Sequence, residues 1–148
     1  MITRKATKSD IKTLSKLFDD YRIFYKKQSD VQSAENFLFE RIQNQDSEIF
    51  VTENDSNEII GFVQLYPIFS STRMQRLWLL NDLFVSQNYR GKGVSVQLID
   101  EAKKVCMGTN GCGLVLETSK TNHIGNNLYP KTGFTLDTEN NYYSWDNK

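Results

Sequence analysis

The sequence predicts one α/β domain, residues 1–148, built on a mixed central sheet of about seven strands with helices on both faces. Three observations lead to this prediction. The length of 148 residues suits a single hydrophobic core. The spacing of apolar residues changes repeatedly between the two-residue period of strands and the 3.6-residue period of helices. Neither an internal repeat nor a low-complexity linker interrupts the chain.

The N-terminal third is predicted to hold one strand and two helices. Ile2–Ala6 is a short apolar run, and Ser9 in the following TKSD is a suitable N-cap for the first helix. A second helix follows the polar KKQSD and ends in QNQDS. The apolar positions with helical spacing are Ile11, Leu14, Leu17, Phe18, Tyr21, Phe24 and Tyr25 in the first helix, and Val31, Ala34, Leu38 and Ile42 in the second.

The rest of the chain is predicted to form a meander followed by a crossover. EIFVTEN, EIIGFVQLYPIF and RLWLLNDLFV are β-rich runs with short connections, which favour antiparallel pairing. A helix from Val94 to about MGTNG then leads to the apolar CGLVLET, which predicts a parallel crossover. A helix of one or two turns, limited by Pro130, is expected around GNNLYPKTG, and FTLD and NYYSWD are predicted as the last two strands.

Composition excludes several classes of partner. Lys plus Arg balance Asp plus Glu at 18 each, so the overall charge favours neither nucleic acid nor a membrane surface. The N-terminal stretch lacks the apolar core of a signal peptide, and no apolar run approaches the ~20 residues that span a bilayer, so a soluble cytoplasmic protein is expected. Cys106, Cys112 and His123 lack metal-ligand spacing, so no metal is expected.

The most informative stretch is NYRGKGV, where two glycines flank Lys92 at a predicted strand-to-helix junction. The unpaired amides at a helix N-terminus bind phosphate oxygens, and glycine removes the Cβ that would block their approach. The amides from Arg90 to Val94 could therefore form a diphosphate cradle, with Arg90 and Lys92 supplying charge. A plain turn that needs unusual dihedrals explains the same glycines, and the GxG pattern alone does not separate the two.

Two familiar nucleotide loops fit this stretch poorly. A Walker loop needs a hydroxyl residue after its lysine, whereas Gly93 follows Lys92. A dinucleotide GxGxxG needs a third glycine where Val96 stands, although Glu117 lies near the distance expected for a ribose-binding acid. A nicotinamide-dependent enzyme would also place its glycine loop after the first strand of a parallel sheet, whereas this loop follows the fourth predicted strand.

A third pattern matches better. NYRGKG resembles the [RQ]-x-x-G-x-[GA] signature of the GNAT superfamily of acyl-CoA-dependent N-acetyltransferases, with Asn88 where Gln or Arg is usual. LNDLFV is similar to the strand that leads into that loop, and NHIGNNLYPKTGF resembles a later segment with Asn122, Tyr129, Gly133 and Phe134 at the family's places. The likeness spans nearly the whole chain and is greatest to the branch related to yeast histone, D-amino-acid and polyamine acetyltransferases.

The resemblance implies a fold feature, a cofactor and an activity. The LNDLFV strand would bulge and splay away from CGLVLET, and pantetheine would enter that opening and pair with the backbone of Leu83 and Val85. The implied activity is acetyl transfer from acetyl-CoA to a primary amine, on a small amine, an amino acid or a lysine side chain. A non-catalytic acyl-CoA sensor is the alternative. The coenzyme contacts implied are Leu83, Phe84, Val85, Asn88, Tyr89, Arg90, Gly91, Lys92, Gly93, Val94, Asn122 and Asn126.

The resemblance also implies roles for individual side chains. Tyr129 would be the general acid for the departing thiolate, and a backbone amide of the bulged strand would stabilise the thioester oxygen. Asp82 or Glu117 would take the amine's proton or hold a cationic acceptor. Tyr25 and Trp78 are the predicted acceptor-binding rings. His123 is expected at the surface, Asn122 fits an N-cap as well as a coenzyme contact, and a homodimer is expected from the aromatic NYYSW segment.

Overall fold

The computed structural model describes residues 1–148, which divide into two compact units, Met1–Glu117 and Thr118–Lys148. The first unit contains a five-stranded sheet in which sequence order is also spatial order. The first four strands are antiparallel, and the fifth is parallel to the fourth, so the sheet is mixed as predicted. The strands are β1 (Ile2–Lys5), β2 (Glu48–Glu53), β3 (Ile59–Ser70), β4 (Gln75–Val85) and β5 (Leu114–Val115).

Three helices accompany this sheet: α1 (Ile11–Phe24), α2 (Val31–Asn44) and α3 (Val94–Gly108). Phe62 on β3 packs against Phe18 and Tyr21 of α1, whereas the neighbouring Gly61 lies under Val94 and Leu98 of α3. Because successive residues of a strand point to opposite faces, α1 and α3 cover opposite faces of the sheet. The prediction of helices on both faces is confirmed.

The start of α1 differs from the prediction. A single 3₁₀ turn, Lys8–Asp10, precedes the helix, and the Asp10 carboxylate accepts a hydrogen bond from the Thr7 amide at 2.7 Å. Ser9 only shares a hydroxyl contact with Thr7, so it is not the N-cap. Asp10 is the N-cap of α1 by position, but its carboxylate bonds back to Thr7 and pairs with Arg4 and does not cap the helix amides.

One irregularity in the sheet lies on β4. Gln64 of β3 pairs with Asp82, whereas the next residue, Leu65, pairs with Leu80. Asn81 is therefore the extra residue of a β-bulge, as the resemblance implied for this strand. A bulge bends its strand and re-aims the neighbouring side chains, so the residues on either side of Asn81 face different surroundings.

The second unit contains α4 (His123–Lys131), with Pro130 in its last turn, and no strand. The predicted strands FTLD and NYYSWD are wrong, as is the count of about seven strands. The residues after α4 have no ladder partner in the chain, and strand formation requires one. The apolar residues that this leaves 78–84% exposed are Leu136, Tyr142, Tyr143 and Trp145.

None of the four helices is long and apolar enough to cross a membrane.

Candidate active site

The sheet opens between β4 and β5. Their parallel ladder consists of two pairs, Trp78 with Leu114 and Leu79 with Val115, although CGLVLET was predicted to be a longer strand. Beyond Leu79, β4 continues to Val85 while the β5 side of its backbone has no strand beside it. The parted strands that the resemblance implied are present, and the bulge at Asn81 lies where the parting begins.

The glycine loop connects the end of this open edge to α3. Gly91 and Gly93 have φ of 74° and 81°, a region that only glycine adopts readily, and Gly93 is the N-cap of α3. A side chain added at either glycine would meet no atom within 4 Å. The turn explanation therefore accounts for the dihedrals, and the space over both glycines is open to a ligand. The first amides of α3, which follow Gly93, have no hydrogen-bond partner within the helix.

Two basic residues flank the loop in different ways. Arg90 turns back toward β4: its Nε donates to the Val85 carbonyl at 3.0 Å, and its guanidinium lies 5.3 Å from the Phe84 ring centre. Lys92 is exposed and lies 4.9 Å from the centre of the Tyr89 ring. Arg90 therefore fastens the loop to the strand, whereas the charge of Lys92 lies between the two glycines of the loop in the sequence and is exposed.

Asp82 lies beside the bulge and is only 4% exposed. Its Oδ2 accepts a hydrogen bond from Gln64 Nε2 at 2.8 Å, and its Oδ1 accepts one from Asn81 Nδ2 at 3.1 Å. Burial raises the pKa of this carboxyl, while hydrogen bonds from Gln64, Tyr21 and Asn81 oppose that rise. A carboxyl with a raised pKa next to an opening in the sheet is a candidate for proton exchange.

The two predicted acceptor-binding rings lie in contrasting places. Tyr25, at the end of α1, is 44% exposed and packs edge-on against Tyr21 with ring centres 5.1 Å apart. Trp78 is 4% exposed, and its Nε1 donates to Thr109 Oγ1 at 2.9 Å. The structure thus places Trp78 in the core, because its ring is covered and its one donor is satisfied.

The second unit contains the other predicted residues. Asn122 is the N-cap of α4, accepting from the Gly125 amide at 3.2 Å and donating to Thr118 Oγ1 at 2.9 Å, so the N-cap interpretation is confirmed. Tyr129 is partly buried, and its ring packs edge-on against Phe134 at 5.7 Å. A Cβ on Gly125 would lie 3.3 Å from Tyr129 Cε2, so this glycine lets the ring approach the helix start.

Comparison with known proteins decides the family. A model of the acetyltransferase (GNAT) family matches residues 12–134. The chain belongs to this family. It is 43% identical to the uncharacterized N-acetyltransferase YhfO of Bacillus subtilis, over 93% of this chain and 92% of the relative. It is 37% identical to streptothricin acetyltransferase of Escherichia coli, over 53% of this chain and 42% of that protein.

A solved structure extends the likeness to three dimensions. The crystal structure of a probable acetyltransferase shares 32% sequence identity with this chain and superposes with a TM-score of 0.94, covering 100% of this chain and 99% of the other. The acetyltransferase fold, with its antiparallel strands before the glycine loop, rules out the doubly wound parallel sheet of a nicotinamide-dinucleotide enzyme.

Four further residues named from the sequence are exposed in this acetyltransferase, whereas Val85 and Val94 are buried and Leu83 is partly buried. Glu117, the second predicted carboxylate, is exposed at the end of the first unit. Asn126 is exposed, and its Nδ2 donates to the carbonyls of Ser119 and Asn122 at 2.9 and 2.8 Å. His123 begins α4 and is exposed, as expected. Asn88 is also exposed, in the 3₁₀ turn before Arg90.

Sequence reasoning missed the polar residues that surround Asp82. Gln64 is fully buried and bonded to Asp82, and the hydroxyl of Ser47 donates to Gln64 Oε1 at 2.9 Å. On the other side, the Tyr21 hydroxyl donates to the Asn81 carbonyl at 3.4 Å. A glutamine inside the apolar run EIIGFVQLYPIF was the available signal, because a buried amide requires partners.

Neither cysteine is paired, and the structure contains no group of three or more His, Cys, Asp or Glu side chains placed to hold a metal.

Proposed function

We propose that this acetyltransferase takes its acetyl group from acetyl-CoA and transfers it to a primary amine. The observation that carries the proposal is the open glycine loop at the start of α3, directly after the unpaired edge of β4. The glycine loop is suited to bind a diphosphate, and the unpaired edge of β4 is suited to pair with an extended chain. The coenzyme contains both a diphosphate and an extended pantetheine arm.

The residues present fit the coenzyme. The amides from Gly91 to Val94 would bind its diphosphate, since a Cβ at Gly91 or Gly93 would project into empty space. Lys92 adds a positive charge, and Asn88 and Tyr89 border the same loop. The backbone of Leu83, Phe84 and Val85 would hold the pantetheine arm as an added strand does. When bound, the coenzyme supplies the acyl carbon that the amine attacks.

The acceptor must reach the acyl carbon as a neutral amine. Asp82 is proposed as the base that takes a proton from the ammonium form, directly or through water, because burial raises its pKa and a higher pKa makes a carboxylate a stronger base. Backbone amides at the Asn81 bulge are proposed to stabilise the charge on the acyl oxygen. Glu117 is the alternative base.

Tyr129 is proposed as the general acid that returns a proton to the departing thiolate. This assignment rests on the pattern around the residue, with Asn122 seven positions before it and Gly133–Phe134 after it. Asn122 and Asn126 are proposed as further coenzyme contacts on the same ground.

We infer that the acceptor is a small cationic amine. Tyr25 provides an exposed ring beside Tyr21 at the end of α1, and a ring face attracts a cation. The similarity to streptothricin acetyltransferase also favours a small-molecule acceptor. An amino acid or a peptide lysine carries the same amine chemistry, and an acceptor screen separates the three.

The experiment that tests the proposal has two stages. Calorimetric titration with acetyl-CoA comes first, with Gly93→Ala as the test variant and Gly108→Ala at the other end of α3 as the control. Alanine at position 93 is strained by the φ of 81°, whereas position 108 is in open space with an ordinary φ. We expect binding to weaken at least tenfold in Gly93→Ala alone. Equal binding by both variants would contradict the cradle.

The second stage measures thiol release with small diamines, amino acids and a lysine peptide as acceptors. Release with one acceptor class supports the transferase and identifies that class. Tight coenzyme binding without release for any acceptor would instead favour the non-catalytic sensor.

We also propose that the protein forms a homodimer through the segment after α4. Its three exposed aromatic side chains would bury on the order of 1,200 Å² in a two-fold pair, counting both copies, which is the size of a stable interface. β5 is last in the sheet order, so its outer edge is available for strand addition by a second copy. The combined Tyr142→Ser, Tyr143→Ser and Trp145→Ser variant should sediment as a monomer, and Ile124→Ser on α4 as a dimer. A monomeric wild type would refute this.

A further inference from the structure

The carboxylate of Asp82 is held by neutral donors that come from different elements. Gln64 reaches it from β3 at 2.8 Å, Asn81 from β4 at 3.1 Å, and the Tyr21 hydroxyl from α1. Tyr66 of β3 also faces it, and burial, followed by the charge of Asp82, raises the pKa of that phenol. The charge of Arg41 lowers the pKa of Tyr66, and the charge of Asp46 raises it. No Lys or Arg hydrogen-bonds to Asp82, so uncharged groups fix its position.

Among these donors Gln64 alone is fully buried and itself oriented by a further residue. The Ser47 hydroxyl, in the segment before β2, donates to Gln64 Oε1 at 2.9 Å. An amide has one acceptor end and one donor end, so a donor at Oε1 turns the Nε2 end toward Asp82. With the amide reversed, Oε1 would face the Asp82 carboxylate, and that contact would be repulsive.

We propose that Gln64, oriented by Ser47, is a positioning residue that fixes the carboxylate of Asp82 and stabilises its charged form. Nε2 has no lone pair to accept a proton, so Oδ2 stays a hydrogen-bond acceptor. Oδ1 accepts from the side chain of Asn81, the exposed bulge residue, at a longer 3.1 Å, and the Tyr21 hydroxyl also bonds to this carboxylate. The carboxylate is therefore held in one orientation beside the bulge, and Gln64 supplies the shorter of the two amide bonds that hold it.

This inference rests on the proposed role of Asp82 as the base, so the experiment measures Asp82 itself as well as activity. The carboxyl carbon of Asp82 is followed by ¹³C NMR over a pH series in the full chain, with its signal assigned by its loss in Asp82→Asn. The pH dependence of kcat/KM is recorded on the same samples. The variants are Gln64→Met, which keeps the side-chain length, and the pair Ser47→Ala and Ser47→Thr. Ser15→Ala is the control, because Ser15 is fully buried, as Gln64 is, but bonds to the Lys12 carbonyl.

In Gln64→Met the carboxylate loses its shortest donor, so its charged form becomes less favourable. The NMR midpoint and the acid limb of kcat/KM should both move up by about one pH unit. Ser47→Ala should move both in the same direction by less, Ser47→Thr should restore them, and Ser15→Ala should move neither. If Gln64→Met does not fold, the comparison of Ser47→Ala with Ser47→Thr tests the proposal by itself.

Two results would overturn the proposal, and they differ. If the NMR midpoint of Asp82 stays unchanged in Gln64→Met and Ser47→Ala, neither residue positions Asp82, and the proposed base is unaffected. If the midpoint moves while the acid limb of kcat/KM does not, Asp82 is not the base, and the proposed function loses that residue.

Discussion

Asp10 and Asp82 are both buried aspartates of the first unit, 8% and 4% exposed, yet their surroundings give them opposite properties. Asp10 receives both guanidinium nitrogens of Arg4 at 2.8 Å, together with the Thr7 amide. The hydrogen bond from Arg4 is the main cause that lowers its pKa to about 2. Asp82 receives neutral donors alone, and burial raises its pKa.

The difference shows how partners, and not burial, decide what a carboxylate does. Arg4 also pairs with Glu53, so β1, β2 and the start of α1 are joined by one cation and two anions. The charge of Asp10 is stabilising in the folded protein and is not available for proton transfer near neutral pH. The charge of Asp82 opposes folding, and such a group is a candidate for function when it lies beside an opening.

The largest expected effect is that of Asp82→Asn. Removing a general base lowers kcat/KM by roughly 10²- to 10⁴-fold, while the fold keeps a side chain of the same shape. The matched variant Asp10→Asn should retain activity at temperatures where it is folded. Steady-state thiol-release assays on both variants make the comparison, and full activity in Asp82→Asn would transfer the role of base to Glu117.

Asp10→Asn should give the largest change in stability. It removes the charge that pairs with Arg4 and weakens the turn before α1, so the free energy of unfolding should fall by about 1–3 kcal/mol. Urea denaturation measures this, and Asp100→Asn, at an exposed position of α3, is the control. A change no larger than the control's would mean that the Arg4 cluster does not stabilise the fold.

The two aspartates should also give opposite pH dependences of stability. The lowered pKa of Asp10 stabilises the folded protein at pH values above about 4, which is the pKa of an aspartate in the unfolded chain. This stabilisation is lost as the pH falls toward 2. The free energy of unfolding of wild type should therefore approach that of Asp10→Asn over that range. The raised pKa of Asp82 stabilises the folded protein at low pH, where the carboxyl is protonated, and this contribution is lost as the pH rises. Wild type should therefore lose stability relative to Asp82→Asn with increasing pH. Urea titrations at a series of pH values test both signs, and slopes of equal sign would disprove the contrast.

The smallest effect is expected for Tyr21→Phe. The hydroxyl is one of several neutral donors to Asp82 and contacts the Asn81 carbonyl at 3.4 Å, a long hydrogen bond, while the ring keeps its packing against Phe62 and Phe84. Stability should change by less than about 1 kcal/mol, and kcat should fall only a few-fold. Comparing kcat with KM across small amines checks this, since a rise in KM alone would place Tyr21 in acceptor binding.

Local sequence patterns correctly predicted the helices and strands whose formation depends on the spacing of neighbouring residues. The apolar spacing in α1 and α2, the runs of β2 to β4 and the period change at Val94 all agree with the structure. FTLD and NYYSWD have equally strand-like composition but no ladder partner within the chain, and composition cannot reveal that. CGLVLET pairs with β4 over only two residues, and its composition does not reveal where the two strands part.

The candidate site was predictable where it depends on the backbone of one segment. NYRGKGV indicated the loop because its two glycines are needed for positive φ in an open turn. The connection from Ser47 through Gln64 to Asp82 was not predictable, because it depends on strand register and on the single-residue bulge at Asn81. The burial of Trp78 was not predictable either, because its hydrogen-bond partner, Thr109, is 31 residues away.

The two tryptophans of the chain lie in opposite environments, Trp78 4% exposed in the core and Trp145 84% exposed near the C-terminus. Their fluorescence therefore divides into two signals, a blue-shifted emission that iodide does not quench and a red-shifted emission that it does. Unfolding is read from the first and coverage of the C-terminal segment from the second. Trp145→Phe and Trp78→Phe isolate each signal, so one cuvette can follow the fold and test the proposed self-association in the same sample without any added label.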